Sequence, residues 1–151
     1  AAGQYSGTAS PSCSSCAAGK YSGTASASCS SCAAGKYSGS ASTSCSSCTA
    51  GKYLTNAATG VEALACADCS HGQYSSASSP SCSPCAAGKY LTDSATGVES
   101  EACTSCGTGQ YSGAASTNCV NCNAGKYLSN AANGVESSAC TDCSAGQYSG
   151  T

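Results

Sequence analysis

The sequence predicts a small disulfide-rich fold: an elongated, solenoid-like array of short two-stranded β units with little or no helix. Three observations predict it. A Gly-Lys-Tyr or Gly-Gln-Tyr tripeptide recurs along the chain, every cysteine belongs to a Cys-x-x-Cys motif, and bulky apolar side chains are scarce. Self-similarity at a short, fixed period is typical of repeat proteins.

The composition rules out an ordinary hydrophobic core. The 151 residues include 16 cysteines but no Phe, Trp or Met, and most of the 40% counted as hydrophobic is Ala and Cys. Small side chains bury too little apolar area to offset the entropy lost on folding. Disulfides must therefore hold the chain, which indicates an oxidising environment, outside the cell or at its surface.

The repeats come in two lengths. Successive Cys-x-x-Cys motifs are 16 or 21 residues apart, so we distinguish short and long repeats. Residues 3–50 form three short repeats of 16 residues. Residues 51–87 and 88–124 are compound repeats of 37 residues, each a long repeat followed by a short one, and residues 125–151 are an incomplete third. Each long repeat contains a five-residue insertion and a Gly-Val-Glu sequence.

Each repeat is expected to form one hairpin. Gly19 and its equivalents can supply a turn with positive φ before a short strand at Lys20–Ser22. That strand would close against the residues around the next Cys-x-x-Cys. The loop at residues 22–28 is small and polar, so it is expected to face solvent. The Gly and Ser content leaves no helical apolar periodicity, so helices are not expected.

One tyrosine per repeat is the expected minimal core. The tyrosines would stack on the disulfides and on one another, rather than form a ligand-stacking surface. They are Tyr5, Tyr21, Tyr37, Tyr53, Tyr74, Tyr90, Tyr111, Tyr127 and Tyr148.

Equivalent repeats must all be bonded in the same way, which leaves two nearest-neighbour pairings. The two cysteines of one Cys-x-x-Cys could bond each other, in a tight ring typical of redox-active motifs. Alternatively, the second cysteine could bond the first cysteine of the next motif, closing a loop of about 15 residues worth about 3 kcal/mol in chain entropy. We predict the second pairing: Cys16–Cys29, Cys32–Cys45, Cys48–Cys66, Cys69–Cys82, Cys85–Cys103, Cys106–Cys119 and Cys122–Cys140. Cys13 and Cys143 remain, for disulfides to another subunit or to residues outside this segment.

The pattern Cys16-Ala-Ala-Gly-Lys-Tyr…Cys29-Ser-Ser-Cys32 resembles the ephrin-receptor-like cysteine-rich repeat, which is similar in style to the first half-module of tumour-necrosis-factor-receptor domains. The resemblance extends from Gly3 to Gly150. It implies a secreted or cell-surface module with the loop-closing bond at Cys16–Cys29 and its equivalents. The family commonly has Pro after the second cysteine, where this chain has Ala17, Ala33 and Ala86.

Metal and redox chemistry are the main alternatives. The spacing Cys13-x2-Cys16-x12-Cys29-x2-Cys32 is close to that of a four-cysteine zinc site in an intracellular protein. The alternation of 16 and 21 residues gives the pairs unequal partners, which favours disulfides. Eight Cys-x-x-Cys motifs without a βαβ pattern indicate a scaffold rather than a redox enzyme.

Recurrent polar residues in the long repeats raise the question of calcium, which prefers six to eight oxygen ligands. Each long repeat supplies few carboxylates, so solvated turns or Lys–Glu pairs between neighbouring repeats are the preferred interpretation. The residues concerned are Glu62, Glu99, Glu136, Asn56, Asp93 and Asn130. His71, the single histidine, is expected in a solvated loop. No metal or other cofactor is expected.

Charge and motif content argue against nucleic-acid binding, membrane insertion and catalysis. A net charge of −2 with five lysines gives no basic surface for nucleic acid, and no apolar run is long enough to span a membrane. No nucleophile–base pair or carboxylate dyad indicates an enzyme. The sequence contains no N-glycosylation sequon, whereas its Ser- and Thr-rich loops could carry O-glycans.

The sequence therefore favours an extracellular structural protein, a disulfide-stapled rod that forms a filament or cell-surface appendage by self-association or as part of a longer repeat chain. Head-to-tail contacts that do not close into a ring produce filaments. The alternative is the stalk or ligand-binding ectodomain of a cell-surface receptor or adhesin.

Overall fold

A computed structural model gives the fold and describes residues 1–149. Within these residues the chain forms eight two-stranded antiparallel hairpins, one in each complete repeat, and very little helix. The predicted fold class, a small disulfide-rich array of two-stranded units, is confirmed. No helix among the described residues has the length and hydrophobicity that crossing a bilayer requires.

The short repeats have strands of two residues. The first strand holds the tyrosine, and the second is formed by the two residues between the cysteines of the next Cys-x-x-Cys motif. The pairs are Gln4–Tyr5 with Ser14–Ser15, Lys20–Tyr21 with Ser30–Ser31, Lys36–Tyr37 with Ser46–Ser47, Gln73–Tyr74 with Ser83–Pro84, and Gln110–Tyr111 with Val120–Asn121.

The long repeats have strands of three residues and a single helical turn before the second strand. The strand pairs are Lys52–Leu54 with Cys66–Asp68, Lys89–Leu91 with Cys103–Ser105, and Lys126–Leu128 with Cys140–Asp142. The helices are Glu62–Ala65, Glu99–Ala102 and Glu136–Ala139.

A glycine turn sets up each hairpin, as the sequence predicts. Gly19 has φ +80°, and the Lys20 amide donates to the Ala17 carbonyl at 3.1 Å, so the chain reverses just before the first strand. The Cys32 amide then donates to the Gly19 carbonyl at 2.9 Å. These bonds place the tyrosine strand beside the Cys-x-x-Cys strand, with Tyr21 opposite Ser30.

The helical turns are a feature that the Gly and Ser content did not predict. In the first, the Ala65 amide donates to the Val61 carbonyl at 3.0 Å, and the Ala65 carbonyl accepts from the amides of Thr55 and Asn56. A single turn has no intrinsic stability in water. Ala65 is fully buried, so packing of this side chain and the bonds from the loop stabilise the turn.

The core consists of small clusters, each at the place where a long repeat meets the short repeat before it. The first contains Tyr37, Cys48, Ala65 and Cys66, with Leu54 packed against them. The other two are Cys85, Ala102 and Cys103 with Tyr74 and Leu91, and Tyr111, Cys122, Ala139 and Cys140 with Leu128. Sulfur and alanine thus replace the large aliphatic side chains of an ordinary core.

The chain divides into two compact units. The first comprises Ala1–Cys69 with Ser75–Cys82, and the second comprises Ser70–Tyr74 with Ser83–Thr151. The boundary lies inside the compound repeat 51–87, where the hairpin strands at Gln73–Tyr74 and Ser83–Pro84 belong to the second unit and the loop between them to the first.

Candidate functional site in the seams between repeats

The chemistry of this chain is concentrated where successive repeats meet, and we call each such contact a seam. A disulfide crosses each of seven seams. The bonded pairs are Cys16–Cys29, Cys32–Cys45, Cys48–Cys66, Cys69–Cys82, Cys85–Cys103, Cys106–Cys119 and Cys122–Cys140. These are the pairs of the loop-closing option, with sequence separations of 13 in short repeats and 18 in long ones, and Cα–Cα distances of 5.7–5.8 Å.

Several of these sulfurs are shielded from solvent. Cys16, Cys48 and Cys85 are at most 1% exposed. Thiol–disulfide exchange requires direct attack of a thiolate on a sulfur atom, so burial slows the reduction of these bonds.

Backbone hydrogen bonds run beside the disulfides. The Gly19 amide donates to the Ser38 carbonyl of the next repeat at 2.8 Å, and the Ser38 amide donates onward to Ala57 at 3.0 Å. The Gly3 amide makes the same bond to Ser22, and Gly51 to Ser75. In each of these four seams, a disulfide and main-chain hydrogen bonds therefore connect one repeat to the next.

The serine after the tyrosine also binds across the seam. Ser38 Oγ donates to the Lys20 carbonyl of the preceding repeat at 3.0 Å. The equivalent donations are Ser22 to Gln4, Ser75 to Lys52, Ser112 to Lys89 and Ser149 to Lys126, at 2.7–3.0 Å.

The expectation that the loop at residues 22–28 faces solvent is wrong for its first residue. Ser22 is buried, as are Ser38, Ser75 and Ser112. The rest of that loop is mainly exposed. A signal was present in the sequence, because a serine follows the tyrosine in every short repeat and a leucine follows it in every long one. Only the contact with the preceding repeat explains why the hydroxyl is buried.

Some repeats also contact the second repeat after them. Gly35 has φ +76°, and a Cβ at this position would overlap the carbonyl of Ser78. A Cβ at Gly3 would likewise overlap the Ala41 carbonyl, and a Cβ at Gly72 would overlap the Ala115 carbonyl. Glycine at these positions thus serves both the turn and the close approach of a second backbone.

The nine tyrosines occupy equivalent strand positions but differ in burial. Tyr37 and Tyr111 are buried in the clusters, and Tyr74 packs against one. In each case the following repeat is a long one, whose helical turn covers the ring. Tyr21, Tyr53 and Tyr90 are half-buried, and Tyr5, Tyr127 and Tyr148 are exposed.

The Glu of each Gly-Val-Glu sequence fastens the insertion to the residue that follows the last cysteine of the preceding short repeat. Glu62 Oε1 accepts from the Thr49 hydroxyl at 2.6 Å and from the Thr49 amide at 2.9 Å. These two hydrogen bonds hold the pKa of Glu62 below its usual value. Glu99 accepts from the Ala86 amide, and Glu136 from the Asn123 amide. We call this contact the glutamate clasp.

The other polar residues considered as calcium ligands are also engaged in local structure. Asn56, Asp93 and Asn130 each accept, through Oδ1, the amide two residues ahead, at 2.8–3.1 Å. This is the Asx-turn that these residue types favour. Among residues 1–149, no three or more His, Cys, Asp or Glu side chains are placed to hold a metal ion together. His71 is exposed in a turn.

Lysines form ion pairs inside the long repeats. Lys52 pairs with Asp68 and Lys126 with Asp142 across their hairpins, and Lys89 Nζ lies 3.5 Å from Glu99 Oε1. The hydrogen bond to Asp142 raises the pKa of Lys126. The expectation for the recurrent polar residues was solvated turns or Lys–Glu pairs between neighbouring repeats. The three ion pairs each lie within one repeat, and one of them, Lys89–Glu99, joins a lysine to a glutamate.

Two cysteines are left outside the disulfide series, as the pairing rule requires. Cys13 is an exposed thiol just before the second strand of the first hairpin, and Cys143 is a half-buried thiol just after the strand Cys140–Asp142. Each occupies the position that forms an inter-repeat disulfide elsewhere in the chain. Neither has a sulfur partner within residues 1–149.

Comparison with known proteins gives no assignment. No protein-family model matches the sequence, and a search of curated proteins finds no significant similarity.

Proposed function

We propose that this chain is an extracellular structural protein whose disulfide-stapled repeats form a filament or a cell-surface appendage. The observation that carries the proposal is the disulfide in each of seven successive seams. Disulfide density of this kind is typical of proteins exposed to an oxidising environment outside the cell. The mechanism is mechanical, and its parts are the loops that these disulfides close.

Under tension, force would follow a covalent route that bypasses most of the backbone. From Cys16 it passes through the disulfide to Cys29, along the short Cys29–Cys32 segment, and through the next disulfide to Cys45. The tyrosine loops lie off this route. Each intact disulfide therefore withholds 13 or 18 residues from extension, about 40–65 Å of contour length per repeat.

Cys13 and Cys143 are proposed to continue the same series of bonds beyond residues 1–151, either to a second copy or to further repeats of a longer chain. Cys13 is the first cysteine of its motif, and Cys143 is the second cysteine of its motif. Because a second cysteine bonds a first cysteine in all seven seams, Cys13 would bond a second cysteine and Cys143 a first one. Formation of such a bond removes two electrons and two protons, which a low-molecular-weight disulfide of an oxidising compartment accepts. Exposed Ser and Thr side chains of the loops are the proposed sites of O-glycans.

Electron microscopy of the purified, oxidised protein tests the filament. Filaments that shorten or disappear after the Cys13→Ser or Cys143→Ser substitution would support assembly through these thiols. Discrete monomeric particles at every concentration would contradict it. Stretching single molecules supplies a second measurement, because reduction should lengthen each repeat by the 13 or 18 residues that its disulfide encloses.

The second candidate function is the stalk or ligand-binding ectodomain of a receptor or adhesin. The observation that favours it is the exposure of apolar side chains at equivalent positions of the insertions. Val61, Val98 and Val135 are all more than half exposed, as is Leu64. A partner that contacts several long repeats could bury these side chains at equivalent points. Particles that remain monomeric and bind a cell-surface partner through these valines would favour this candidate over the filament.

A further inference from the structure

Two equivalent grooves lie in the first compact unit, at the seams between short repeats. Their volumes are about 320 and 350 Å³. The first is lined by Tyr5, Ser15, Ala17, Lys20, Ser28 and Cys29. The second is lined by the residues 16 positions further along: Tyr21, Ser31, Ala33, Lys36, Ser44 and Cys45.

In the long repeats, a segment of the chain itself occupies the equivalent place. Thr49 corresponds to Ala17 and Ala33, since all three follow the second cysteine of a motif. The Thr49 amide donates to Glu62 of the helical turn at 2.9 Å, and Ala65 of that turn is fully buried in the cluster with Tyr37. The long repeat therefore provides an internal ligand for this amide, the carboxylate of Glu62.

The short-repeat grooves present the same donors without an acceptor. Neither the Ala17 amide nor the Ala33 amide has a hydrogen-bond acceptor among the described residues. Lys20 and Lys36 form no ion pair there either, whereas Lys89, at the equivalent position of a long repeat, lies 3.5 Å from Glu99. Residues 1–51 contain these two lysines and no Asp or Glu. Each groove thus combines a free amide with an unpaired ammonium.

One glutamine-bearing short repeat shows how a side chain at this position can satisfy the amide. In the repeat that begins at Gly109, Gln110 Oε1 accepts from the Gly107 amide at 3.2 Å, so the side chain caps the free amide itself. Lysine has no acceptor atom and cannot do this. The two short repeats with lysine therefore leave open the kind of donor that Glu62, Glu99 and Gln110 satisfy elsewhere.

We propose that the two grooves bind an acidic segment of a partner protein, whose glutamate side chains occupy the positions equivalent to Glu62 in the long repeat. The carboxylate accepts from the Ala17 or Ala33 amide and pairs with Lys20 or Lys36. Hydrogen bonds to an ionised acceptor are stronger than neutral ones, and two grooves engaged by one partner add avidity.

The test uses the oxidised full-length chain and a capped peptide with the sequence of residues 60–65, Gly-Val-Glu-Ala-Leu-Ala. Amide resonances of the ¹⁵N-labelled protein are followed during titration. We expect the Ala17 and Ala33 amides to move together and saturate, with binding weakened at higher ionic strength. The matched peptide with Glu→Gln should bind several-fold more weakly, because it carries no charge for the lysines.

Substitution of the lysines locates the site. K20Q and K36Q should each weaken binding at their own groove by at least about two- to fivefold, because the substitution removes one exposed ion pair and its glutamine can cap the amide as Gln110 does. The fold should tolerate both, since four other repeats have glutamine at this position, Gln4, Gln73, Gln110 and Gln147. The control is K89Q, which removes the same charge from a repeat whose amide Glu99 already occupies.

Three results would overturn the proposal. Equal binding of the Glu and Gln peptides would show that no carboxylate is recognised. Equal weakening by K89Q would show a non-specific charge effect. Sedimentation that reveals dimers dissociated by K20Q and K36Q, with no shift of the Ala17 and Ala33 amides by the peptide, would assign the grooves to a second copy instead of a partner protein.

Discussion

The Ser38 hydroxyl donates to the Lys20 carbonyl of the preceding repeat, and the Ser38 carbonyl accepts from the Gly19 amide of that same repeat. One residue thus binds its neighbour through both its side chain and its main chain. Because Ser38 is buried, water cannot replace either bond. Repeat proteins of this kind derive much of their stability from such nearest-neighbour contacts.

Replacement of Ser38 by alanine should therefore weaken the seam. The substitution removes this part-buried hydrogen bond, at a cost of about 0.5–1.5 kcal/mol in the free energy of unfolding. The midpoint of urea unfolding under non-reducing conditions measures the effect. Ser44→Ala is the control, since Ser44 is exposed and its change should remain within about 0.5 kcal/mol. Equal effects of the two substitutions would mean that the hydroxyl contributes nothing across the seam.

Gly35→Ala should be more damaging than the same change at Gly109. Both glycines have positive φ, +76° and +77°, so alanine costs about 1–2 kcal/mol at either position. Only at Gly35 would the new Cβ overlap the Ser78 carbonyl, whereas nothing lies within 4 Å at Gly109. Displacing that backbone should add about 1–3 kcal/mol. If thermal unfolding shows the two variants to be equally stable, the close approach of these repeats does not exist in solution.

The Cys48–Cys66 disulfide should contribute more stability than Cys32–Cys45. Removal of a native disulfide commonly costs about 2–5 kcal/mol, with a few tenths more for a loop of separation 18 than for one of 13. Cys48 and Cys66 also belong to a buried cluster. Paired alanine substitutions compared by urea unfolding test this order. A larger loss from the Cys32 and Cys45 pair would contradict the assignment of the core to the long repeats.

Acid should release the glutamate clasp at Glu62. The folded-state pKa of this carboxyl lies below its ordinary value of 4.5, so the clasp stabilises the folded state above about pH 4.5. That contribution is lost as the pH falls through the lower, folded-state pKa. The Thr49 amide resonance should therefore titrate with a midpoint below 4.5 and should not titrate in this way in E62Q. A midpoint at or above 4.5 would show that Thr49 does not stabilise the ionised carboxylate.

The repeat spacing was sufficient to predict the hairpins, because the glycine turn and the strand that follows it depend on neighbouring residues only. It also favoured the loop-closing cysteine pairs found in the structure, since a bond between successive motifs gains more chain entropy than a bond within one. It did not predict the helical turn at Glu62–Ala65. A single turn cannot be read from local propensity, as it is stabilised by the burial of Ala65 against the cluster.

The sequence by itself determined which residues repeat, where the chain turns and which two cysteines the loop-closing pairing leaves over. Only the tertiary structure decided that Tyr37 is buried while Tyr5 is exposed, that Ser38 binds backward across its seam, and that Glu62 closes a clasp that the Lys20 and Lys36 grooves lack. The physical reason is that turns and loop closure are properties of one segment of chain. Burial and hydrogen bonding across a seam depend on the position of one repeat relative to the next. That position is set only when all the contacts between the two repeats form together.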